Sequence, residues 1–287
     1  MAAALRRQSR GDRSEPEPPA GRAGAQPARR VALDRVRPLK VRRLRGLVAR
    51  SQLRLAVRVL PHVPAAGLAW LRAVGWAGRR RILGRTNQRP LWVHRPDGVR
   101  ARGVLHPVPG ANAALLAVGG STGGLHGPGW IYPELCARLQ SAGISGLRLD
   151  YARPNHLEAC TQDVLDGIQF LEEQGIERVV LMGWSFGSAV VIRAGVSSAR
   201  VVAVATVGAQ TSGTGAVGRL GPRPLLVLHG TADPILPDRC AWDLYARAAE
   251  RKELGLYAGD GHGLEHHQTE VLDRLVAWTV GGLQATG

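Results

Sequence analysis

Cysteines and long apolar runs are scarce in this chain. Its three cysteines, Cys136, Cys160 and Cys240, are an odd number at wide spacings and match neither a disulfide framework nor a metal knuckle. We therefore expect buried thiols in a reducing compartment. The apolar stretch at 64–78 is too short to span a membrane and contains Arg72. No apolar secretory core lies near the N-terminus, so a cytoplasmic protein is the expectation.

Acidic residues are nearly absent from the first third of the chain. Residues 1–102 contain 25 Lys and Arg against 5 Asp and Glu, a balance of +20, whereas the remaining residues contain 13 and 17, a balance of −4. The net charge of +16 therefore belongs to the N-terminal segment. Arginine occurs there without a recognisable nucleic-acid-binding motif or interleaved aromatic residues, which argues against specific nucleic-acid binding.

The basic segment divides in two. Residues 1–35 have almost no large apolar side chains, which predicts disorder, and residues 36–88 mix Leu and Val with Arg at helical spacing, which predicts an Arg-rich helical segment. Three interpretations remain open: a solvated basic extension, an organelle-targeting peptide, or peripheral membrane contact through residues 36–85. Organelle targeting is weakened by the acidic residues near the N-terminus. The sequence predicts a separate domain over residues 89–287.

The pattern of residues 89–287 indicates an α/β domain. The segments "LWVHR" and "VRARGVL", joined by Asp97-Gly98, predict a hairpin. Apolar runs then alternate with amphipathic helical segments, which predicts a doubly wound, mostly parallel sheet with helices on both faces. Asn155 and Glu158 predict a capping box at the start of one helix. Ligands bind at the carboxyl ends of strands in such sheets, so polar residues just after strands are the candidates.

Three residues after predicted strands fit a nucleophile, an acid and a base. The segment "GWSFG" matches G-x-S-x-G and places Ser185 on a sharp turn between a strand and a helix of small residues. Asp233 and His262 follow two later strands, and Ser, Asp, His is the order expected for such a triad. Asp233 precedes Pro234, so a simple turn aspartate is the alternative. We predict that Ser185, His262 and Asp233 are catalytic.

The reaction also needs donors for an oxyanion. The backbone amides of Ser121, in the loop "GGSTGG", and of Phe186 are the predicted pair. A phosphate cradle is the alternative for this loop, because the next strand ends near Asp150 as in a dinucleotide site. However, no G-x-G-x-x-G register and no P-loop lysine are present. Aromatic residues near these loops are predicted to contact substrate: Trp130, Tyr132 and Trp184.

A metal site is a weaker alternative. Histidines and acidic residues cluster after the last strand, in "GDGHGLEHH", and His262 and His266 are four residues apart. No H-E-x-x-H pattern and no third ligand stand out. We therefore expect neither a metal nor another cofactor.

Four motifs carry a resemblance to a known family: "VGGSTGG", "GWSFGSA", "HGTADPILP" and "GDGHGLEH". Together they resemble the α/β-hydrolase fold and, within it, the dienelactone-hydrolase-like branch, over about two thirds of the chain. The resemblance implies a serine hydrolase acting on a small-molecule ester or thioester. Dienelactone hydrolases use cysteine where this chain has Ser185, so their chemistry is not carried over. The oligomeric state is undetermined.

Several alternatives remain open within this resemblance. The same triad serves serine peptidases and acyltransferases, and a non-catalytic scaffold can share the fold. Only about fifteen residues separate the strands near 208 and 224, which leaves no room for a helical lid. The resemblance therefore implies an open, shallow site.

Overall fold

The computed structural model describes residues 87–284. The predictions of disorder over 1–35, of a helical segment over 36–88 and of membrane contact through 36–85 lie outside the described residues, apart from Asn87 and Gln88. None of the helices in the described part combines the length and apolar character needed to cross a bilayer.

Eight strands of residues 87–284 form one sheet in the order β1-β2-β4-β3-β5-β6-β7-β8. The first two pairings, β1 with β2 and β2 with β4, are antiparallel, and all the others are parallel. This confirms the predicted doubly wound, mostly parallel sheet. The strands are β1 (Arg89–His94), β2 (Arg100–His106), β3 (Ala113–Val118), β4 (Ser145–Leu149), β5 (Arg178–Trp184), β6 (Val201–Val207), β7 (Leu225–Gly230) and β8 (Lys252–Tyr257).

Within the described residues, five α-helices cover the two faces of this sheet. They are α1 (Ile131–Ser141), α2 (Leu157–Glu173), α3 (Phe186–Ser197), α4 (Arg239–Arg247) and α5 (Gln268–Gln284). Helices α2, α3 and α4 contribute to one apolar cluster, and α1 and α5 contribute to the other. The central strands are buried on both faces, which explains why β3 reads as an unbroken apolar run.

The predicted hairpin forms between β1 and β2. Gly98 adopts a φ of 84°, the left-handed conformation that glycine tolerates best, and the amide of Arg95 donates to the carbonyl of Val99 at 2.8 Å. The Asp97 carboxylate also accepts from the amide of Val99 at 3.0 Å. The turn predicted from Asp97-Gly98 is therefore the turn that closes the hairpin.

The capping box predicted for Asn155 and Glu158 is wrong. Helix α2 begins at Leu157, and its N-cap is His156, whose ring Nδ1 accepts from the amide of Ala159 at 3.3 Å. Asn155 instead adopts a left-handed φ of 60° in the preceding loop. Asparagine tolerates that conformation better than most residues, so Asn155 serves the turn before α2 and does not cap the helix.

The cysteines are free, as expected. Two of them, Cys136 and Cys160, are buried, whereas Cys240 is half-buried. Burial raises the pKa of the Cys160 thiol to about 11.

Candidate active site

The three predicted catalytic residues all follow parallel strands of the sheet. Ser185 comes directly after β5, Asp233 lies in the loop after β7, and His262 lies in the loop after β8. These strands run in the same direction, so their carboxyl ends share one edge of the sheet. The topology therefore delivers all three residues to the same edge.

Ser185 occupies a sharp turn between β5 and α3. Its φ of 56° and ψ of −120° are uncommon for a residue other than glycine, and its amide donates to the Val207 carbonyl at 2.8 Å. A Cβ atom on Gly183 would lie 2.2 Å from the Gly187 oxygen. The turn thus requires glycine at that position, as the G-x-S-x-G pattern predicts.

Asp233 and His262 form a close pair. His262 Nδ1 lies 2.6 Å from Asp233 Oδ2, and the Asp233 side chain has no exposed surface. The other carboxylate oxygen, Oδ1, accepts from the amides of Ile235 at 2.8 Å and Leu236 at 2.9 Å. Because Nδ1 donates to the carboxylate, Nε2 is the nitrogen of His262 left to accept a proton. Asp233 is therefore not merely a turn residue.

The loop after β8 brings the His262 ring to the nucleophile turn. A Cβ atom on Gly208, the residue after β6, would lie 3.2 Å from His262 Cε1. The rings of Trp184 and His262 are 5.3 Å apart at their centroids, and Trp184 Nε1 donates to the His262 carbonyl at 3.1 Å. His262 is thus packed against Trp184, the residue before Ser185, and against Gly208, which follows the neighbouring strand β6.

The contact between Ser185 and His262 is open in this conformation. Among the described residues, the Ser185 hydroxyl makes no hydrogen bond within 3.5 Å. Catalytic hydrogen bonds are often long in free enzymes and tighten only when substrate binds. The structure therefore assembles the Asp233–His262 pair beside the serine, and the full triad remains a prediction.

The loop after β3 lies against Ser185. The amide of Gly123 donates to the Gly120 carbonyl at 3.0 Å and closes a tight turn, and a Cβ atom on Gly120 would lie 3.5 Å from Ser185 Cβ. Within the described part of the chain, the amides of Ser121 and Phe186 donate no hydrogen bond. Two unpaired amides on the segments around a serine suit an oxyanion, and the oxyanion hole itself stays a prediction.

Asp150 holds this loop in place. Its Oδ1 accepts from the amides of Gly124 at 2.6 Å and Tyr151 at 3.0 Å, and its Oδ2 accepts from Arg102 at 2.9 Å. The Tyr151 hydroxyl donates to the Gly119 carbonyl at 3.0 Å. The carboxylate that imitates a ribose-binding residue in the sequence is therefore occupied by the loop itself, which disfavours the phosphate-cradle alternative.

The three predicted substrate contacts have different environments. Trp130 is 49% exposed, and its ring centroid lies 3.9 Å from that of the His126 ring. Trp184 is half-buried beside His262. Tyr132 is fully buried, its hydroxyl donates to the Val118 carbonyl at 2.8 Å, and burial raises its pKa far above the usual value. The prediction of substrate contact is wrong for Tyr132, because it supports the loop after β3 from inside the core.

The histidines after β8 point to two separate carboxylates. His266 and His267 lie just before α5, and each approaches the buried Asp260 through Nδ1, at 3.1 and 2.9 Å. Burial alone would raise the pKa of Asp260, but the hydrogen bonds from His267, His266 and Gly261 hold it below the usual value. No three metal-ligating side chains converge within residues 87–284. Asp260 instead holds the loop that carries His262 through these hydrogen bonds.

One residue of this site was not predicted from the sequence. His229, at the end of β7, is fully buried, and its Nε2 lies 3.3 Å from Asp233 Oδ2. The available signal was a histidine at a strand end four residues before the predicted acid.

Comparison with solved structures identifies the class of fold. The chain is similar to a dienelactone hydrolase from Anabaena variabilis, with 19% identity, a TM-score of 0.61, and coverage of 68% of this chain and 98% of that one. It is similar to an α/β serine hydrolase without a lid from Xanthomonas campestris, with 17% identity, a TM-score of 0.55, and coverage of 70% and 95%. An esterase domain from Rhodothermus marinus matches with 20% identity, a TM-score of 0.54, and coverage of 67% and 97%.

These similarities and the strand order show an α/β-hydrolase fold, and the predicted resemblance to dienelactone hydrolase is confirmed at the level of the fold. No family model matches the chain, and no curated protein matches its sequence.

Proposed function

We propose that this protein is a serine hydrolase that cleaves a carboxylic ester or thioester through an acyl-enzyme. The observation that carries the proposal is the 2.6 Å pair of Asp233 and His262 packed beside the strained turn of Ser185. An imidazole oriented by a buried carboxylate and placed next to a serine is the arrangement that activates a hydroxyl nucleophile. The solved structures similar in fold include proteins described as hydrolases and esterases, which supports this choice.

In the proposed first half-reaction, Ser185 attacks the substrate carbonyl while His262 Nε2 takes the hydroxyl proton. The amides of Ser121 and Phe186 hold the negative oxygen of the tetrahedral intermediate. His262 then gives its proton to the departing alcohol or thiol, and Asp233 stabilises the charged imidazole throughout. The product of this half-reaction is an ester between the acyl group and Ser185.

In the second half-reaction, water takes the place of the leaving group. His262 removes a proton from the water, the hydroxide attacks the acyl-enzyme, and the same amides hold the oxyanion. Collapse of this intermediate releases the carboxylic acid and returns the proton to Ser185. Side chains and backbone amides supply every group in this scheme, so the proposal includes no cofactor.

The surroundings of the site favour short acyl groups. The loop between β6 and β7, residues 208–224, contains only one short 3₁₀ turn, Val217–Leu220, where a lid could be inserted. A site without a lid offers little apolar surface to a long acyl chain, because burial of chain methylenes drives such binding. We therefore propose acetate and butyrate esters as better substrates than long-chain esters.

A substrate panel tests the proposal. The full chain is assayed with p-nitrophenyl acetate, p-nitrophenyl butyrate, a p-nitrophenyl ester of a long acyl chain, a thioester and a p-nitroanilide, beside Ser185→Ala and His262→Ala. Ester or thioester turnover that both variants lose supports the proposal. Faster anilide cleavage would indicate a peptidase, and acyl transfer to an added alcohol that outcompetes water would indicate an acyltransferase. A folded wild-type protein without turnover would favour a scaffold.

A further inference from the structure

We propose that His229 is a positioning residue, a second histidine that fixes Asp233 in the orientation that serves His262. This inference rests on the proposed function, because it assigns a role within the same site. His229 takes no part in the mechanism above, yet it contacts the carboxylate on which that mechanism depends.

The Asp233 carboxylate has hydrogen-bonding neighbours on both oxygens. Backbone amides of Ile235 and Leu236 donate to Oδ1, as described above. His262 Nδ1 at 2.6 Å and His229 Nε2 at 3.3 Å both approach Oδ2. Side-chain rotation would break contacts on both oxygens at once, so the donors together define one orientation of the carboxylate.

The tautomer of His229 follows from its neighbours. Its Nε2 lies 2.9 Å from the carbonyl oxygen of Leu236, which can only accept a hydrogen bond. Nε2 therefore carries the hydrogen and donates it to that carbonyl, while Asp233 Oδ2 lies 3.3 Å from the same nitrogen. Its other nitrogen, Nδ1, is buried and has no partner among the described residues. A hydrogen on Nδ1 would be a buried donor without an acceptor, which is costly.

The two histidines on Asp233 have different roles because their access to solvent differs. The His262 side chain is 11% exposed and borders the turn of Ser185, whereas the His229 side chain has no exposed surface. The Nε2 of His229 is committed to a backbone carbonyl, while the Nε2 of His262 remains available. His262 is therefore the base, and His229 orients the acid.

His229 also ties the acid loop to the sheet. It belongs to β7, and its bond to the Leu236 carbonyl closes the loop that presents Asp233. Loss of the Nε2 donor would release this carbonyl and remove the N–H group that lies 3.3 Å from Oδ2. Small displacements of an orienting group can cost about 100-fold in rate.

Two amide variants separate positioning from bulk. His229→Gln places an amide nitrogen close to the position of Nε2, whereas His229→Asn places one near Nδ1, too short to reach Asp233. We expect His229→Gln to retain most of the turnover of p-nitrophenyl acetate. We expect His229→Asn to lose about 10- to 100-fold in kcat with little change in KM, since substrate contacts are untouched.

The opposite pattern would overturn the proposal. Equal losses in the Gln and Asn variants that follow only the fraction of folded protein would reduce His229 to a packing residue. Thermal unfolding of each variant provides the folded fraction.

A measurement without turnover separates this inference from the proposed function. In the ¹⁵N-histidine-labelled full chain, NMR should assign the hydrogen of His229 to Nε2, and the downfield Nδ1 proton of His262 should persist in His229→Gln and weaken in His229→Asn. An Nδ1-protonated His229, or a His262 proton signal insensitive to both variants, would refute the positioning role even in an active enzyme. If the protein proves inactive but these signals behave as expected, the contact stands and only the proposed reaction fails.

Discussion

Replacing His106 with Gln should remove a loss of stability that the wild-type protein suffers in mild acid. His106 ends β2, is fully buried, and its Nε2 accepts from Arg148 Nε at 2.9 Å. Burial, followed by the nearby charge of Arg148, lowers the pKa of His106 from 6.5 to about 4. The glutamine Oε1 can accept the same hydrogen bond, but it does not titrate.

The direction and size of the effect follow from proton linkage. The unfolded chain binds a proton at this histidine near pH 6.5, whereas the folded chain resists protonation until about pH 4. The contribution of the neutral His106 to stability is therefore complete above pH 6.5 and is lost as the pH falls through about 4. The difference in pKa corresponds to about 3 kcal/mol of unfolding free energy.

Urea unfolding at pH 7 and pH 4 measures this contribution of His106 to the free energy of unfolding. Burial also lowers the pKa of His126, but that contribution is common to both proteins and cancels in the comparison. The wild-type free energy of unfolding should fall by about 3 kcal/mol more than that of His106→Gln between the two pH values. A parallel fall in the two proteins would refute the reasoning and show that His106 is protonated without cost in the folded state.

Substitutions at three further positions test which contacts hold the site in place. Gly187→Ala places a Cβ atom 2.3 Å from the Gly119 oxygen, so urea unfolding should show a loss of about 1–3 kcal/mol, and unchanged stability would contradict the tight turn. Asp150→Ala releases the loop after β3 and should lower kcat about 10- to 100-fold, whereas Asp150→Asn should lose less; equal losses would argue against the hydrogen bond as the cause. Trp184→Phe keeps the ring beside His262 but removes the indole donor, which should lower kcat by about fivefold with little change in the melting temperature, and an effect on KM alone would make it a substrate contact.

Much of this fold and of the candidate site could be predicted because the relevant signals are local. The turn at Ser185 needs glycine at fixed neighbouring positions, so its geometry is present in five consecutive residues. The alternation of apolar runs and helices implies parallel strands whose carboxyl ends share an edge. That rule places Ser185, Asp233 and His262 at one edge of the sheet without any knowledge of strand order, and the adjacency of β5, β6, β7 and β8 then brings their loops close together.

The residues that sequence reasoning missed or misassigned depend on contacts between distant segments. Tyr132 sits in an aromatic stretch near the site, but the chain turns its hydroxyl inward to Val118. Asp150 imitates a nucleotide-binding carboxylate until the loop after β3 folds onto it. His229 gains its role only when the acid loop closes over β7. No local periodicity encodes such closures, because each requires the finished sheet.

Covalent labelling of Ser185 is the sharpest test of the proposed serine-hydrolase activity. The purified full chain is treated with a fluorophosphonate, which reacts with activated serines, and the modified peptide is identified by mass spectrometry beside Ser185→Ala and His262→Ala. The account predicts one adduct on Ser185, none in Ser185→Ala, and strongly slowed labelling in His262→Ala at unchanged stability. A folded wild-type protein that stays unlabelled, or that carries the adduct on another serine, would contradict the account.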